Sequence, residues 1–131
     1  MTILEQGNGA APQAAPDLIK ETTTQAFVKD VIEESKRQPV LIDFWAPWCG
    51  PCRIVSPVVE RIATDLPGKL KLVKVNSDNA PNLSQRFGIR GIPTLVMIDH
   101  GKEVARITGA YPEPALRSWV DEHLPKPAAK T

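Results

Sequence analysis

The chain has 131 residues, of which 42% are apolar, and its sixteen basic and fifteen acidic residues leave a formal charge of +1. That length suits one compact domain with an ordinary core, and the charge balance gives no footprint of a nucleic-acid binder. No apolar run approaches the roughly 18 residues of a membrane span, and the first residues lack the basic and apolar regions of a secretory leader. A cytoplasmic protein is therefore expected, in a compartment where a close cysteine pair points to catalysis or metal binding more than to a structural staple.

Residues 1–16 are rich in Gly, Ala, Gln and Pro without hydrophobic period, and residues 125–131 are similar; both read as flexible tails around a domain at 17–124. Ile19 to Thr22 reads as a short strand. Thr24 is placed to cap a helix whose apolar residues Phe27, Val28, Val31 and Ile32 recur at helical spacing. Val40 to Ala46 is a nearly continuous apolar run of strand length. Ile54, Val55, Val58, Val59, Ile62, Ala63 and Leu66 then trace one face of a helix that Pro57 should kink. Leu70 to Asn76 is the next strand, and a short helix around Asn82 to Phe87 should end at Gly88. Thr94 to Asp99 and Glu103 to Thr108 form two strands joined through His100-Gly101-Lys102, hence an antiparallel hairpin. After Gly109, a helix entered at Pro112 or Pro114 carries Leu116, Trp119, Val120 and Leu124 on its apolar face and stops at Pro125. The order βαβαβαββα predicts an α/β fold, with a mixed central sheet covered by helices on both faces.

The segment Phe44-Trp45-Ala46-Pro47-Trp48-Cys49-Gly50-Pro51-Cys52-Arg53 leaves the central strand and opens the longest helix. A thiol at a helix N-terminus faces unpaired N–H groups and the positive end of the dipole, which favours its thiolate. Cys49 is thus the expected reactive cysteine. Cys52, at i+3 and one turn deeper, is the expected shielded, resolving thiol. A structural disulfide would close so few residues that it would be a weak staple. Zinc would need ligands that His100 and His123 are badly placed to supply, and covalent haem would need His where Arg53 stands.

Asp43 sits among Val40, Leu41, Ile42, Phe44 and Trp45, where an ionised carboxylate is costly. Desolvation should raise its pKa and fit it to exchange a proton with Cys52; the plainer alternative is a satisfied structural carboxylate. Lys74, between Val73 and Val75, is the candidate to share its charge, unless it is a lysine on a solvated face. Gly91-Ile92-Pro93-Thr94 opens a strand with a proline, which often marks a turn or a cis bond.

Together, Trp-Cys-Gly-Pro-Cys, an acid in the preceding strand and a downstream Ile-Pro-Thr resemble the thioredoxin family, in the same order and with similar spacings from about Asp17 to Leu124. The resemblance implies that Cys49 is the nucleophile, Cys52 the resolving thiol, Asp43 the buried acid, Lys74 its neighbour and Pro93 a cis-proline against the sulfurs. It also implies a substrate groove with a flat apolar rim of Trp48, Gly91, Ile92 and Gly109, beside Gly50 and Pro51, in which an extended client segment pairs with backbone next to Pro93. The activity implied is reduction of disulfides in client proteins by a monomer that needs no bound cofactor or metal and is recharged by an NADPH-dependent thioredoxin reductase. With Gly50 and Pro51 between the cysteines and no histidine there to stabilise the thiolate further, a reductant is favoured over an oxidase or isomerase. A redox-silent partner or holdase would not need the intact cysteines. Three features depart from the family pattern: the long N-terminal extension, Tyr111 after Gly109-Ala110, and Ser77 before Asp78.

Overall fold

A computed structural model describes residues 18–125, so the expected tails lie outside the described residues apart from Pro125. The elements are β1 (Ile19–Glu21), α1 (a π-wound stretch Val28–Glu33 running into a 3-10 turn Glu34–Lys36), β2 (Val40–Trp45), α2 (Gly50–Thr64), β3 (Lys71–Asn76), α3 (Pro81–Arg86), β4 (Thr94–Asp99), β5 (Lys102–Thr108) and α4 (Glu113–His123). Their order is the one read from the sequence.

The five strands form one mixed sheet in the order β1-β3-β2-β4-β5. β3 runs parallel to both β1 and β2, whereas β4 is antiparallel to β2 and to β5. β2 is the central strand and is buried from Val40 to Phe44, which is why its sequence is almost uninterruptedly apolar. Because side chains alternate along a strand, Val40, Ile42 and Phe44 enter one core with Phe27, Val31, Val73, Val75, Val96 and Ile98. Leu41 enters the other, with Val55, Val59, Ile62, Leu72, Leu95, Met97, Leu116 and Val120 from α2, β3, β4 and α4. The same alternation turns Asp43 toward α2.

Several local expectations shift. The hydroxyl that accepts from the first free N–H before α1 belongs to Thr23, which bonds Ala26 N–H at 3.1 Å; Thr24 instead donates to Asn82 Oδ1 at 2.9 Å, tying α1 to α3. Val28 is exposed while Phe27 and Val31 are buried. On α2 the buried stripe is Cys52, Val55, Ser56, Val59, Ile62 and Ala63, an i, i+3, i+4, i+7 row that leaves Ile54 about 100° off and exposed. α2 continues through Pro57 to Thr64, with the proline on its exposed side, where the ring deprives the Arg53 carbonyl of its helical donor. The β4–β5 connection is a two-residue turn, His100 and Gly101, both at positive φ, since Asp99 already pairs with Lys102.

Candidate active site

The end of β2 and the start of α2 build the first half of the site. Cys49 is the N-cap of α2, in extended backbone geometry, and its Sγ accepts the Cys52 N–H at 3.1 Å. A sulfur held there takes up one of the donors that a helix start leaves unpaired, and the next proline, Pro51, removes another. In the reduced protein the same N–H and the helix dipole stabilise negative charge on Cys49. Here the two cysteines are joined in a disulfide, with their Cα atoms 5.3 Å apart. Cys49 is 3% exposed and Cys52 2%, packed with Ala46 against Trp45 and Ile92, so the shielding expected of Cys52 alone covers both. Their asymmetry lies in position on the helix. Gly50 and Pro51 are exposed beside them, and Arg53 Nη2 fastens the turn by donating to the Pro47 carbonyl at 2.9 Å.

Asp43 is completely buried, and burial pushes its carboxyl from 3.8 up to about 6, against the opposing effects of the Ser56 hydroxyl and the Lys74 charge. Ser56 Oγ donates to Asp43 Oδ2 at 2.9 Å, while the buried Oδ1 has no protein partner. Lys74 pairs in register with Asp43 across β2 and β3 but does not bond it; its Nζ donates to Glu60 Oε2 at 2.9 Å and lies 5.1 Å from the Trp45 ring centre. Lys74 thus neighbours Asp43 and shares its charge across the strands, as expected, without a direct bond. The reason is solvation: the lysine stem carries its ammonium to partly exposed Glu60, which receives it without stripping both ions of water.

The second half of the site comes from the loop before β4. The Ile92–Pro93 bond is cis, and the Ile92 carbonyl oxygen lies 3.8 Å from Cys49 Sγ. Thr94 Oγ1 donates to the Gly91 carbonyl and shares a 2.9 Å hydrogen bond with Thr108 Oγ1, fixing the loop to β5. Gly109 N–H donates to the Pro93 carbonyl at 2.9 Å, so Gly109 borders the site through Pro93. Gly91 and Ile92 are half-buried, and Trp48 is 69% exposed with its indole N–H on Asp78 Oδ1 at 3.1 Å. Of the expected rim residues, Ile92 packs against the cysteines, and exposed Tyr111 lies beside Gly109. Ser56, Glu60 and Asp78 were missed by the sequence reading. Only Ser56 left a signal there, as a polar residue four places after Cys52 on the apolar face of α2.

Gly109 has φ +118°, which L side chains rarely adopt, and a Cβ there would meet the Tyr111 ring at 3.5 Å. Gly109→Ala should cost about 1–3 kcal/mol of stability in a thermal melt. It should also slow any reaction at this site with large partners by disturbing the Pro93 carbonyl bond. An unchanged melt together with an unchanged rate would show that the backbone here relaxes freely.

Comparison with known proteins gives a consistent picture. The sequence profile of the thioredoxin family matches residues 18–122. The chain is similar to thioredoxin 1 of Nostoc sp., 45% identical over 104 residues that cover 79% of this chain and 95% of the relative. It is 47% identical to thioredoxin 1 of Synechococcus elongatus over 102 residues, 78% of this chain and 94% of that one. Against the chloroplastic M-type thioredoxin of Chlamydomonas reinhardtii it is 49% identical over 96 residues, 73% of this chain and 68% of the relative.

Proposed function

Since this chain belongs to the thioredoxin family and is a thiol–disulfide oxidoreductase that reduces disulfides through the Cys49/Cys52 pair, we propose that Cys49 is the attacking thiolate, Cys52 the resolving thiol and Asp43 the acceptor of its proton. The observation that carries this assignment is Cys49 as N-cap of α2 with its sulfur on the Cys52 N–H. The Cys49 thiolate attacks one sulfur of a client disulfide and expels the other as a thiolate, giving a mixed disulfide. Cys52 then gives its proton to Asp43 and attacks Cys49 Sγ. The client sulfur bonded to Cys49 leaves as a thiolate, both client thiolates take up protons, and the enzyme is left oxidised.

Clients with accessible disulfides and a thioredoxin reductase are the general partners of such a protein. The finer reading is a cytoplasmic monomer acting as an electron carrier, recharged by an NADPH-dependent reductase and binding extended client segments on Trp48, Gly50, Pro51, Gly91, Ile92 and Gly109, with Pro93 and Lys74 completing the site. Exposed Trp48 and the Ile92 carbonyl beside Cys49 support that groove. Among the described residues no helix is long and apolar enough to cross a membrane. A coupled assay with NADPH, a thioredoxin reductase and a disulfide-bonded protein should show client reduction at the expense of NADPH. A chain cut to residues 17–124 should do so at nearly the same rate. Faster oxidation of dithiol clients than reduction of disulfides would favour an oxidase, and loss of activity on truncation would give the termini a part in the reaction.

A further inference from the structure

Midway along α2, Ser56 stands four residues after Cys52, so the two side chains occupy adjacent turns of one face. Both line a cleft of about 300 Å³ together with Glu60 and Lys74. A serine inside a helix commonly bonds the carbonyl four residues back, which here is that of Cys52. The Ser56 hydroxyl instead donates to Asp43 Oδ2 at 2.9 Å, and Asp43 Oδ1 is left buried without a protein partner.

We propose that Ser56 is a positioning residue for the proton that leaves Cys52: by clamping Oδ2 it fixes the Asp43 carboxyl and leaves Oδ1 as the oxygen that receives the proton. This rests on the reading of Asp43 as proton acceptor. Ser56 cannot take the proton itself, since its hydroxyl is already a donor to the carboxylate. The other charges acting on Asp43 are Lys74 from β3, Glu60 from α2 and Glu21 from β1. Lys74 and Glu60 are bonded to each other at 2.9 Å and oppose one another at Asp43, and Glu21 accepts from the Trp45 indole at 3.3 Å. Ser56 is therefore the only one of these groups that touches the carboxyl.

The test is the carboxyl carbon resonance of Asp43 followed by NMR between about pH 4 and 9, together with the rate at which the mixed disulfide releases its client. In Ser56→Ala the carboxylate loses a hydrogen bond to its charged form, so the midpoint should rise by about one unit from about 6. The release rate should then fall about fivefold near pH 6 and converge with wild type near pH 8, as the fraction of carboxylate dictates. Ser56→Thr, which keeps the hydroxyl, should retain the wild-type midpoint and profile. If Ser56→Ala leaves both unchanged while Asp43→Asn abolishes the pH dependence, Ser56 is structural and the proposal falls alone. If the pH dependence survives in Asp43→Asn, the acceptor reading falls and takes the proposal with it.

Discussion

Cys52→Ser should accumulate covalent complexes with client proteins, visible on non-reducing gels and dissolved by added dithiol, whereas Cys49→Ser should form none. Turnover should fall to the background rate of exchange in both. The difference follows from the two positions on α2. Cys49 caps the helix and its sulfur already accepts an N–H, so its thiolate is stabilised without any partner. In the proposed assignment Cys52, inside the first turn, acts on the sulfur that Cys49 has captured. Removing the second thiol arrests the reaction at the mixed disulfide, and removing the first prevents that intermediate from forming. Equal trapping by both variants would show that either sulfur can start the reaction.

Replacing Asp43 by Asn should slow turnover and yet make the oxidised protein more stable. The folded carboxyl titrates at about 6 against 3.8 without its surroundings, because burial penalises the charge. A raised pKa favours the folded state while the group is protonated. That contribution is complete below about pH 3.8 and is lost as pH rises through about 6. The shift of about 2.2 units corresponds to about 3 kcal/mol, which wild type forgoes at neutral pH and the asparagine variant keeps. Asparagine can still bond Ser56. Its stability should therefore match wild type near pH 4, pull ahead through about pH 6 and hold a lead of up to about 3 kcal/mol above pH 7. Denaturant unfolding across that range measures the gap. A lead that does not change with pH would mean that repacking, and not the carboxyl charge, separates the two proteins.

The sequence made the scaffold legible because each element carries its own period: the unbroken apolar run of β2 marks burial on both faces, and the apolar row from Ile54 to Leu66 marks α2. The placement of Cys49, Cys52 and Pro93 was legible because each is tied to a local position, a helix start or a strand start. What escaped were choices between neighbours and partners distant in the chain. Thr23 and Thr24 are chemically alike, and which one caps depends on where α1 begins winding and on Asn82 being within reach. Ile54 was placed on the apolar face because a period read without a phase is ambiguous by one residue. Lys74 was matched with Asp43 correctly in register, but the strand pairing cannot say how far a four-carbon stem extends toward Glu60. Trp48 and Asp78 meet across thirty residues of chain, a pairing that only the assembled turns decide.

The disulfide joins residues only three apart at the tip of one helix, whereas the two cores beneath it are held by packing across the whole sheet. A ring so small removes little freedom from the unfolded chain. Making and breaking it should therefore change the stability of the body little, as with a rechargeable tool whose handle does not wear as its tip is spent.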